Sequence, residues 1–183
     1  MSGIASRSQL RMSFLRWALV CVPAVLLLGT LSAALSNSGY ENDWFSSLRM
    51  PSFMPPAIAF PIAWTILYIG LGLALAMVLH ARGARRRGLI VGLFLLQLAV
   101  NYLWSPVFFG AGEMALGLAL VAAMIVLTLA LIALLWRVRR AAALLLIPYL
   151  AWLFFAAALN YQVMVLNPEP VAPGGGRTDI PIG

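Results

Sequence analysis

Five long runs of mainly apolar residues follow one another along the chain, and short segments with most of the charged residues separate them. A helix needs about 20 such residues to cross the hydrocarbon core of a bilayer. We therefore predict an all-α integral membrane bundle of five transmembrane helices. Its spans cover residues 15–35, 57–79, 89–109, 114–136 and 141–166.

Arginine clusters fix two of the boundaries between spans. Placing the three arginines at positions 85–87 in the middle of a membrane would cost about 3 kcal/mol each, so the second and third spans cannot be one helix. The arginines at positions 137, 139 and 140 separate the fourth span from the fifth in the same way.

Composition and charge exclude a soluble domain and predict an orientation. The chain is 63% hydrophobic and 9% charged, with a net charge of +7, whereas soluble domains have about 25% charged residues. With five spans, most arginines, including those of the basic segment 1–14, lie on one side of the membrane. The positive-inside rule then places the N-terminus in the cytoplasm and the C-terminus outside, and the cytoplasmic membrane is favoured. Arginines at span ends mark topology, so we expect membrane lipid and no nucleic acid as a partner.

The first span and the C-terminal tail need separate comment. The basic start and the small residues at positions 32–34 leave a signal peptide as an alternative for the first span, although the apolar run is long for one. The tail, residues 167–183, is rich in proline and glycine, and we predict that it is disordered.

The spans lack the residues that most membrane chemistry requires. Cys21 and His80 are single, which excludes a thiolate cluster and a multi-histidine metal site. The acidic residues lie outside the spans, which argues against a proton relay or an ion-coupled pump. We therefore assign no catalytic residue, no metal and no cofactor.

Amide and aromatic side chains recur at helical spacing in three spans and give each one polar-aromatic face. The alternative is that the amides only join helices and that the aromatic residues form interfacial belts. The faces consist of Phe60, Trp64, Tyr68 and Gly72 in the second span, Gln97, Asn101, Trp104 and Phe108 in the third, and Pro148, Trp152, Ala156 and Asn160 in the fifth.

These faces lie at the same depth, beneath the longest loop. The second span runs inward and the third and fifth run outward, so Trp64, Asn101 and Asn160 fall in the outer half and can line one cavity. Residues 36–56 form a hydrophobic loop that includes Trp44, and long loops in compact domains are often lids. A hydrophobic lid over an apolar pocket with a few amides predicts a flat, largely apolar ligand.

The third span also contains Gly88-x-x-x-Gly92, a spacing that allows helices to approach closely in membranes. This face can serve the monomer or a homodimer, and the sequence leaves both open.

Three separated motifs, at residues 44–68 (WFSSLRMPSFMPPAIAFPIAWTILY), 101–110 (NYLWSPVFFG) and 148–167 (PYLAWLFFAAALNYQVMVLN), resemble the translocator protein family. Its members are also called tryptophan-rich sensory proteins or peripheral-type benzodiazepine receptors. The resemblance implies a five-helix bundle, often dimeric, with a pocket under the first loop. That pocket binds porphyrins such as protoporphyrin IX and haem, isoquinoline-type drugs and, in animals, cholesterol.

The resemblance and the polar-aromatic faces together give a set of candidate residues. The family's pocket residues correspond to Trp64, Asn101, Trp104, Trp152 and Asn160, and its loop motif corresponds to Phe53 and Pro55. The full set of predicted ligand-binding residues is Phe53, Pro55, Trp64, Tyr68, Gln97, Asn101, Trp104, Trp152, Ala156 and Asn160, with Trp44, Arg49 and Met50 in the lid.

The chain departs from the family pattern at three points. Many members have Lys and Trp where this chain has Met50 and Phe53, which leaves Arg49 as the nearby cation for a porphyrin propionate. Some bacterial relatives degrade protoporphyrin in light with that Trp, and phenylalanine is far harder to oxidise. The cholesterol consensus needs a basic residue within five positions after Tyr161, and none is present.

We therefore predict a non-enzymatic membrane protein that senses, sequesters or helps to transport porphyrins, with a porphyrin or haem as ligand. One alternative is a light- and oxygen-dependent enzyme that degrades porphyrin, with Trp64, Trp104 or Trp152 replacing the missing loop Trp. Another is a sterol-binding, lipid-binding or structural membrane protein without a saturable ligand.

Overall fold

The computed structural model describes residues 7–81, 83 and 86–168, and for residues 7–11 only the backbone. In this part of the chain all regular secondary structure is helical, which confirms the predicted all-α class. Five helices are long and apolar enough to cross a membrane, so this is a multi-pass integral membrane protein. The helices are α1 (Arg7–Leu35), α2 (Asp43–Ser46), α3 (Ala59–His80), α4 (Arg87–Ser105), α5 (Met114–Val138) and α6 (Arg140–Leu166), and a π-helix (Pro106–Gly110) continues α4.

The observed bounds differ from the predicted spans mainly at the N-terminus. Helix α1 begins at Arg7, eight residues before the predicted start, because nothing in the basic segment breaks a helix. The other long helices begin and end within about two residues of the prediction, when α4 and the π-helix are taken together. The predicted disorder of the tail falls mostly on residues 169–183, which lie outside the described residues.

The five long helices form a closed ring in the order α1, α3, α6, α5, α4 and back to α1. Large side chains such as Phe94, Leu131 and Tyr149 are fully buried inside the ring, whereas Leu19 and Leu35 on α1 are among the most exposed. This arrangement suits a bundle whose outer surface faces lipid. We call the end with the loop between α1 and α3 the lid end, and the end with Arg87, Arg137 and Arg140 the arginine end.

Helix α1 is an integral part of the ring because small residues let it approach α3. A Cβ atom built on Gly72 of α3 would lie 2.6 Å from the Cα atom of Val22 in α1. Close backbone approach at glycine is a usual way for membrane helices to gain packing energy. Removing α1, as the signal-peptide alternative requires, would expose this face of α3.

Pro106 explains both the π-helix and one tie between α1 and α4. Proline has no N–H, so it cannot bond to the carbonyl group of Tyr102 four residues earlier. The hydroxyl group of Ser32 in α1 donates to that carbonyl, and the hydroxyl group of Tyr102 donates to the carbonyl of Val25 at 3.1 Å. The chain then continues with the π-type bond from Ala111 N–H to the carbonyl of Pro106, at 2.9 Å. Inside a membrane, where water is not available, such replacement partners are needed.

At the arginine end, Arg87 holds the turn between α3 and α4. Its guanidinium donates to the carbonyls of Val78 at 3.3 Å and Leu79 at 3.0 Å. These carbonyls belong to the last turn of α3, where a positive charge is also favourable for the helix dipole.

The Gly88 and Gly92 face of α4 is not used within the described part of the chain. Both glycines are exposed, and a Cβ atom on either would meet nothing within 4 Å. The homodimer contact on this face stays a prediction.

Candidate functional site

A cavity of about 560 Å³ lies at the lid end, inside the ring and beneath the loop. Helices α1, α3, α4 and α6 and the π-helix form its walls, and residues of the loop cover it. Its volume falls within the range of about 300–1,000 Å³ that is usual for small-molecule pockets. Aromatic side chains dominate the lining and are contributed by Tyr40, Phe45, Phe60, Trp64, Tyr68, Trp104, Phe108, Phe109 and Trp152.

One wall consists of aromatic rings from α3 and α6. The Trp64 and Trp152 rings have centroids 6.2 Å apart and lie nearly perpendicular, at 80°. Trp152 also contacts Phe60 at 5.9 Å, and Trp64 contacts Tyr68 at 5.2 Å. Because edge-to-face pairs of this kind stabilise each other, the wall presents fixed aromatic surface to the cavity.

The facing wall comes from the end of α4 and the π-helix. Trp104 and Phe108 stack almost parallel, with centroids 5.0 Å apart and an angle of 11°. The indole Nε1 of Trp104 is buried and has no hydrogen-bond partner among the described residues. Since buried donors are nearly always paired, this unpaired N–H is an exception within the wall of the cavity.

Asn101 forms the floor and joins helices through its amide. The hydroxyl group of Tyr68 donates to its Oδ1 at 2.9 Å. Its Nδ2 donates to the hydroxyl oxygen of Tyr149 at 2.9 Å and contacts the Met124 sulfur at 3.5 Å. Gln97 donates to the same hydroxyl of Tyr149 from below. The Asn101 amide therefore serves α3, α4, α5 and α6 together and is not a free group for a ligand.

The second predicted asparagine, Asn160, is also bound within the protein. With its amide oriented to satisfy both partners, Asn160 donates to the Met114 carbonyl and accepts from Leu118 N–H, each at 3.0 Å. A Cβ atom on Gly117 would lie 3.1 Å from the Asn160 amide. Glycine at this position lets α6 reach the first turn of α5.

The lid is folded by its own capping interaction. The Asn42 side chain accepts from Phe45 N–H at 2.9 Å and thereby caps the short helix α2, which turns Trp44 and Phe45 into the protein. Both rings pack on Phe108, at 5.5 Å and 6.1 Å between centroids. This contact joins the lid to the Trp104 wall.

Two further contacts hold the lid in place. The Tyr40 hydroxyl donates to the Pro55 carbonyl at 2.6 Å, and burial raises the pKa of Tyr40 above its usual range. At the other side, the Asn167 amide pairs with the backbone of Arg49, accepting its N–H at 2.9 Å and donating to its carbonyl at 3.0 Å. Asn167, the first residue of the predicted disordered tail, instead joins α6 to the lid.

The structure brings seven of the predicted ligand-binding residues to the cavity lining. These are Trp64, Tyr68, Asn101, Trp104, Trp152, Ala156 and Asn160. They share the cavity because α3, α4 and α6 turn their polar-aromatic faces to the same side. Their role in binding a ligand remains a prediction.

The structure places the other predicted ligand-binding residues, Gln97, Phe53 and Pro55, outside the cavity lining. Gln97 lies one turn below Asn101 and is buried against Tyr149. Phe53 is 48% exposed and contacts Phe155 at 6.5 Å, while Pro55 serves the lid through its carbonyl.

The three residues predicted for the lid are also placed outside the lining. Trp44 is buried in a cluster with Leu48 and Val163, and Met50 packs on that cluster. Arg49 is exposed, and its backbone is held by Asn167. Of the same loop, Phe45 and Met54 do reach the cavity.

Two parts of the site were missed from the sequence. Helix α1 contributes Leu26, Gly29, Thr30 and Ala33 to the lining, but it carries no aromatic or amide pattern that would have indicated this. Tyr149 supports the floor and is fully buried. Its spacing of three from Trp152 places it toward the same side of α6, which was the available signal.

The described residues include no group of three His, Cys, Asp or Glu side chains that could hold a metal ion. The cavity offers aromatic stacking and apolar contact. Such a surface suits a flat, mainly apolar molecule.

The fold and site define a multi-pass membrane bundle with a lid-covered aromatic cavity at one end. The sequence pattern of the TspO/MBR family matches residues 20–166, which is most of the chain. The chain belongs to the TspO/MBR family.

Three relatives illustrate the range of the family. A translocator protein from Sus scrofa is 43% identical over 153 residues, covering 78% of this chain and 88% of the relative. A tryptophan-rich protein TspO from Chlorobaculum tepidum is 43% identical over 130 residues, covering 68% and 80%. Protein CrtK from Rhodobacter capsulatus is 36% identical over 127 residues, covering 68% and 79%.

Proposed function

We propose that this protein binds a tetrapyrrole, a porphyrin or haem, in the cavity beneath the lid, without acting as an enzyme. The observation that carries the proposal is the aromatic cavity itself, with indole rings on both walls and a polar floor. Binding is the step that sensing, sequestration and transport of porphyrins have in common.

The geometry supports a flat macrocycle more than a flexible lipid chain. Trp64 and Trp152 come from α3 and α6, and the Trp104–Phe108 stack comes from α4 and the π-helix, across the ring from that pair of helices. A planar π-system placed between them gains ring contact on both faces, and each aromatic contact is worth about 0.5–1.5 kcal/mol beyond area burial.

The direct test is a titration of the detergent-solubilised protein with protoporphyrin IX, followed by the change in the Soret band. We expect saturable binding, and an affinity about tenfold lower for Trp152→Ala, as the loss of one or two ring contacts predicts. Trp136→Ala is the control because Trp136 is exposed and lies at the arginine end. Equal affinity of Trp152→Ala and the parent protein would refute the assignment of the cavity.

A second candidate function is light- and oxygen-dependent degradation of the bound porphyrin. The observation in its favour is that Trp64, Trp104 and Trp152 all line the cavity. Oxidisable indoles would therefore surround the ligand, although Phe53 stands where many family members have the loop tryptophan. Illumination separates the two candidates, since a protein that only binds bleaches the Soret band no faster than free porphyrin does.

We also propose that the arginine end faces the cytoplasm and the lid end faces outward in the cytoplasmic membrane, by the positive-inside rule. Ser52→Cys at the lid and Gly83→Cys at the arginine end are exposed sites for a membrane-impermeant maleimide. The parent protein carries the buried Cys21, and its labelling gives the background level. Labelling of Ser52→Cys alone on intact cells is expected, and labelling of Gly83→Cys alone would reverse the orientation.

A further inference from the structure

The cavity lining carries one charged side chain, Glu41, and it lies at the mouth. Glu41 is exposed and belongs to the loop segment after α1, whose residues Asn37, Ser38 and Tyr40 also line the cavity. The lining contains no arginine, lysine or histidine. The mouth therefore presents a carboxylate to any ligand that enters or protrudes.

The described arginines are not placed to neutralise this carboxylate. Arg49 is the one in the lid, but it does not line the cavity, and its backbone is tied to Asn167 on the outer side. Arg87, Arg137 and Arg140 lie at the arginine end, the length of a spanning helix away, which is about 30 Å for 20 residues. At such distances salt screens most of the interaction.

We propose that the mouth selects against anionic ligands, so that the preferred tetrapyrrole is one whose carboxyl groups are esterified or otherwise uncharged. This inference rests on the proposed function and makes it more specific. A propionate that leaves the cavity at the lid end meets Glu41 without a compensating cation among the described residues. A neutral ester keeps the stacking contacts and avoids the repulsion.

The test compares protoporphyrin IX with its dimethyl ester, each titrated into the parent protein, Glu41→Gln and Asp43→Asn in the same detergent. Asp43→Asn is the matched control, because Asp43 is a nearby exposed acid of the same loop that does not line the cavity. The quantity of interest is the ratio of the two ligands' affinities within each variant. This ratio is then compared between variants, so the different detergent solubilities of acid and ester cancel.

Glu41→Gln is expected to raise the affinity for the free acid about three- to tenfold, as like charges several ångströms apart near a protein surface predict. It should change the affinity for the ester much less than the affinity for the free acid, and thermal unfolding in detergent checks that the variant is folded. Asp43→Asn should change the ratio much less. Higher salt should strengthen binding of the free acid to the parent protein but not to Glu41→Gln.

Equal ratios in the parent protein and Glu41→Gln would overturn the charge selection and leave the proposed function intact. An equal effect of Asp43→Asn would also overturn it, because the effect would then come from net charge and not from the mouth. If neither porphyrin binds saturably to any variant, the proposed function fails and this inference fails with it.

Discussion

Gly29 of α1 lies directly against the ring of Tyr68 of α3. A Cβ atom built on Gly29 would overlap the ring carbons and lie 2.8 Å from the hydroxyl oxygen of Tyr68. The same hydroxyl donates to Asn101 at the cavity floor, and both Gly29 and Tyr68 line the cavity. The absence of a side chain at Gly29 thus sets the position of the Tyr68 ring, whose hydroxyl bonds to the same Asn101 amide as the hydroxyl of Tyr149.

Gly29→Ala is therefore expected to destabilise the protein and weaken porphyrin binding together. The new methyl group must push the Tyr68 ring away and stretch its hydrogen bond to Asn101, at a cost typical of overpacking, about 1–3 kcal/mol. Thermal unfolding in detergent and the Soret titration measure the two effects.

Gly92→Ala is the control for Gly29→Ala. Gly92 is also a helical glycine, but a Cβ atom there meets nothing within 4 Å, and alanine favours a helix by up to about 1 kcal/mol. Its melting temperature should be unchanged or slightly higher. If Gly29→Ala behaved like Gly92→Ala, the packing of α1 on Tyr68 would not control the site.

Asn101→Leu is expected to cost about 1–3 kcal/mol, because it leaves the buried Tyr68 hydroxyl without its acceptor and removes one of the two amide donors to the Tyr149 hydroxyl. Adding Tyr68→Phe removes the unpaired hydroxyl. The double variant should thus be more stable than the sum of the two single effects, by about 0.5 kcal/mol or more. Unfolding free energies of all four proteins give this coupling.

In this double-mutant cycle, Tyr161→Phe can replace Tyr68→Phe as a neutral comparison, since Tyr161 is 54% exposed on the outer side of α6. Strict additivity of Asn101→Leu and Tyr68→Phe would contradict the hydrogen-bonded floor.

The spans were predictable because a bilayer imposes one length and one polarity on every crossing helix. The faces with Trp64, Asn101 and Trp152 were predictable for a related reason, since polar and aromatic groups inside a span recur with the helical repeat. The periodicity of the sequence does not show which of the apolar helices completes the ring. Helix α1 contributes to the site through Gly29, whose missing side chain makes room for the Tyr68 ring. A glycine within an apolar segment gives no periodic signal that would predict this role.

The lid was harder to predict, because tertiary contacts, and not a helical repeat, determine which of its side chains face the cavity. Phe45 reaches the cavity, while its neighbour Trp44 packs in the cluster above it. The Asn42 side chain caps α2 and thereby fixes the orientation of both rings. Phe53, which the family motif places at the site, lies outside because its ring packs on Phe155.

Trp104→Phe is expected to leave stability nearly unchanged and to lower porphyrin affinity. Phenylalanine keeps a ring for the stack on Phe108 and removes an indole N–H that has no partner in the described part of the protein. Losing an unpaired buried donor offsets part of the lost contact area. Phe108→Ala provides the contrast, because loss of that ring should lower both the melting temperature and the affinity. Unchanged affinity in Trp104→Phe would mean that the N–H does not meet the ligand.

Asn167→Ala is expected to loosen the lid without unfolding the bundle. It removes both bonds to the Arg49 backbone as well as the bond from its Nδ2 to the Val163 carbonyl, at 2.8 Å. At about 0.5–1.5 kcal/mol net for each of the two bonds to the lid, the lid should open roughly tenfold more often or more. Stopped-flow release of protoporphyrin IX should accelerate by a similar factor, and hydrogen exchange at the Arg49 amide should rise. Gln162→Ala, at the same end of α6 but with no hydrogen bond from its side chain to the described residues, should change neither. Faster exchange at Arg49 with an unchanged release rate would show that the lid opens there but does not gate the cavity.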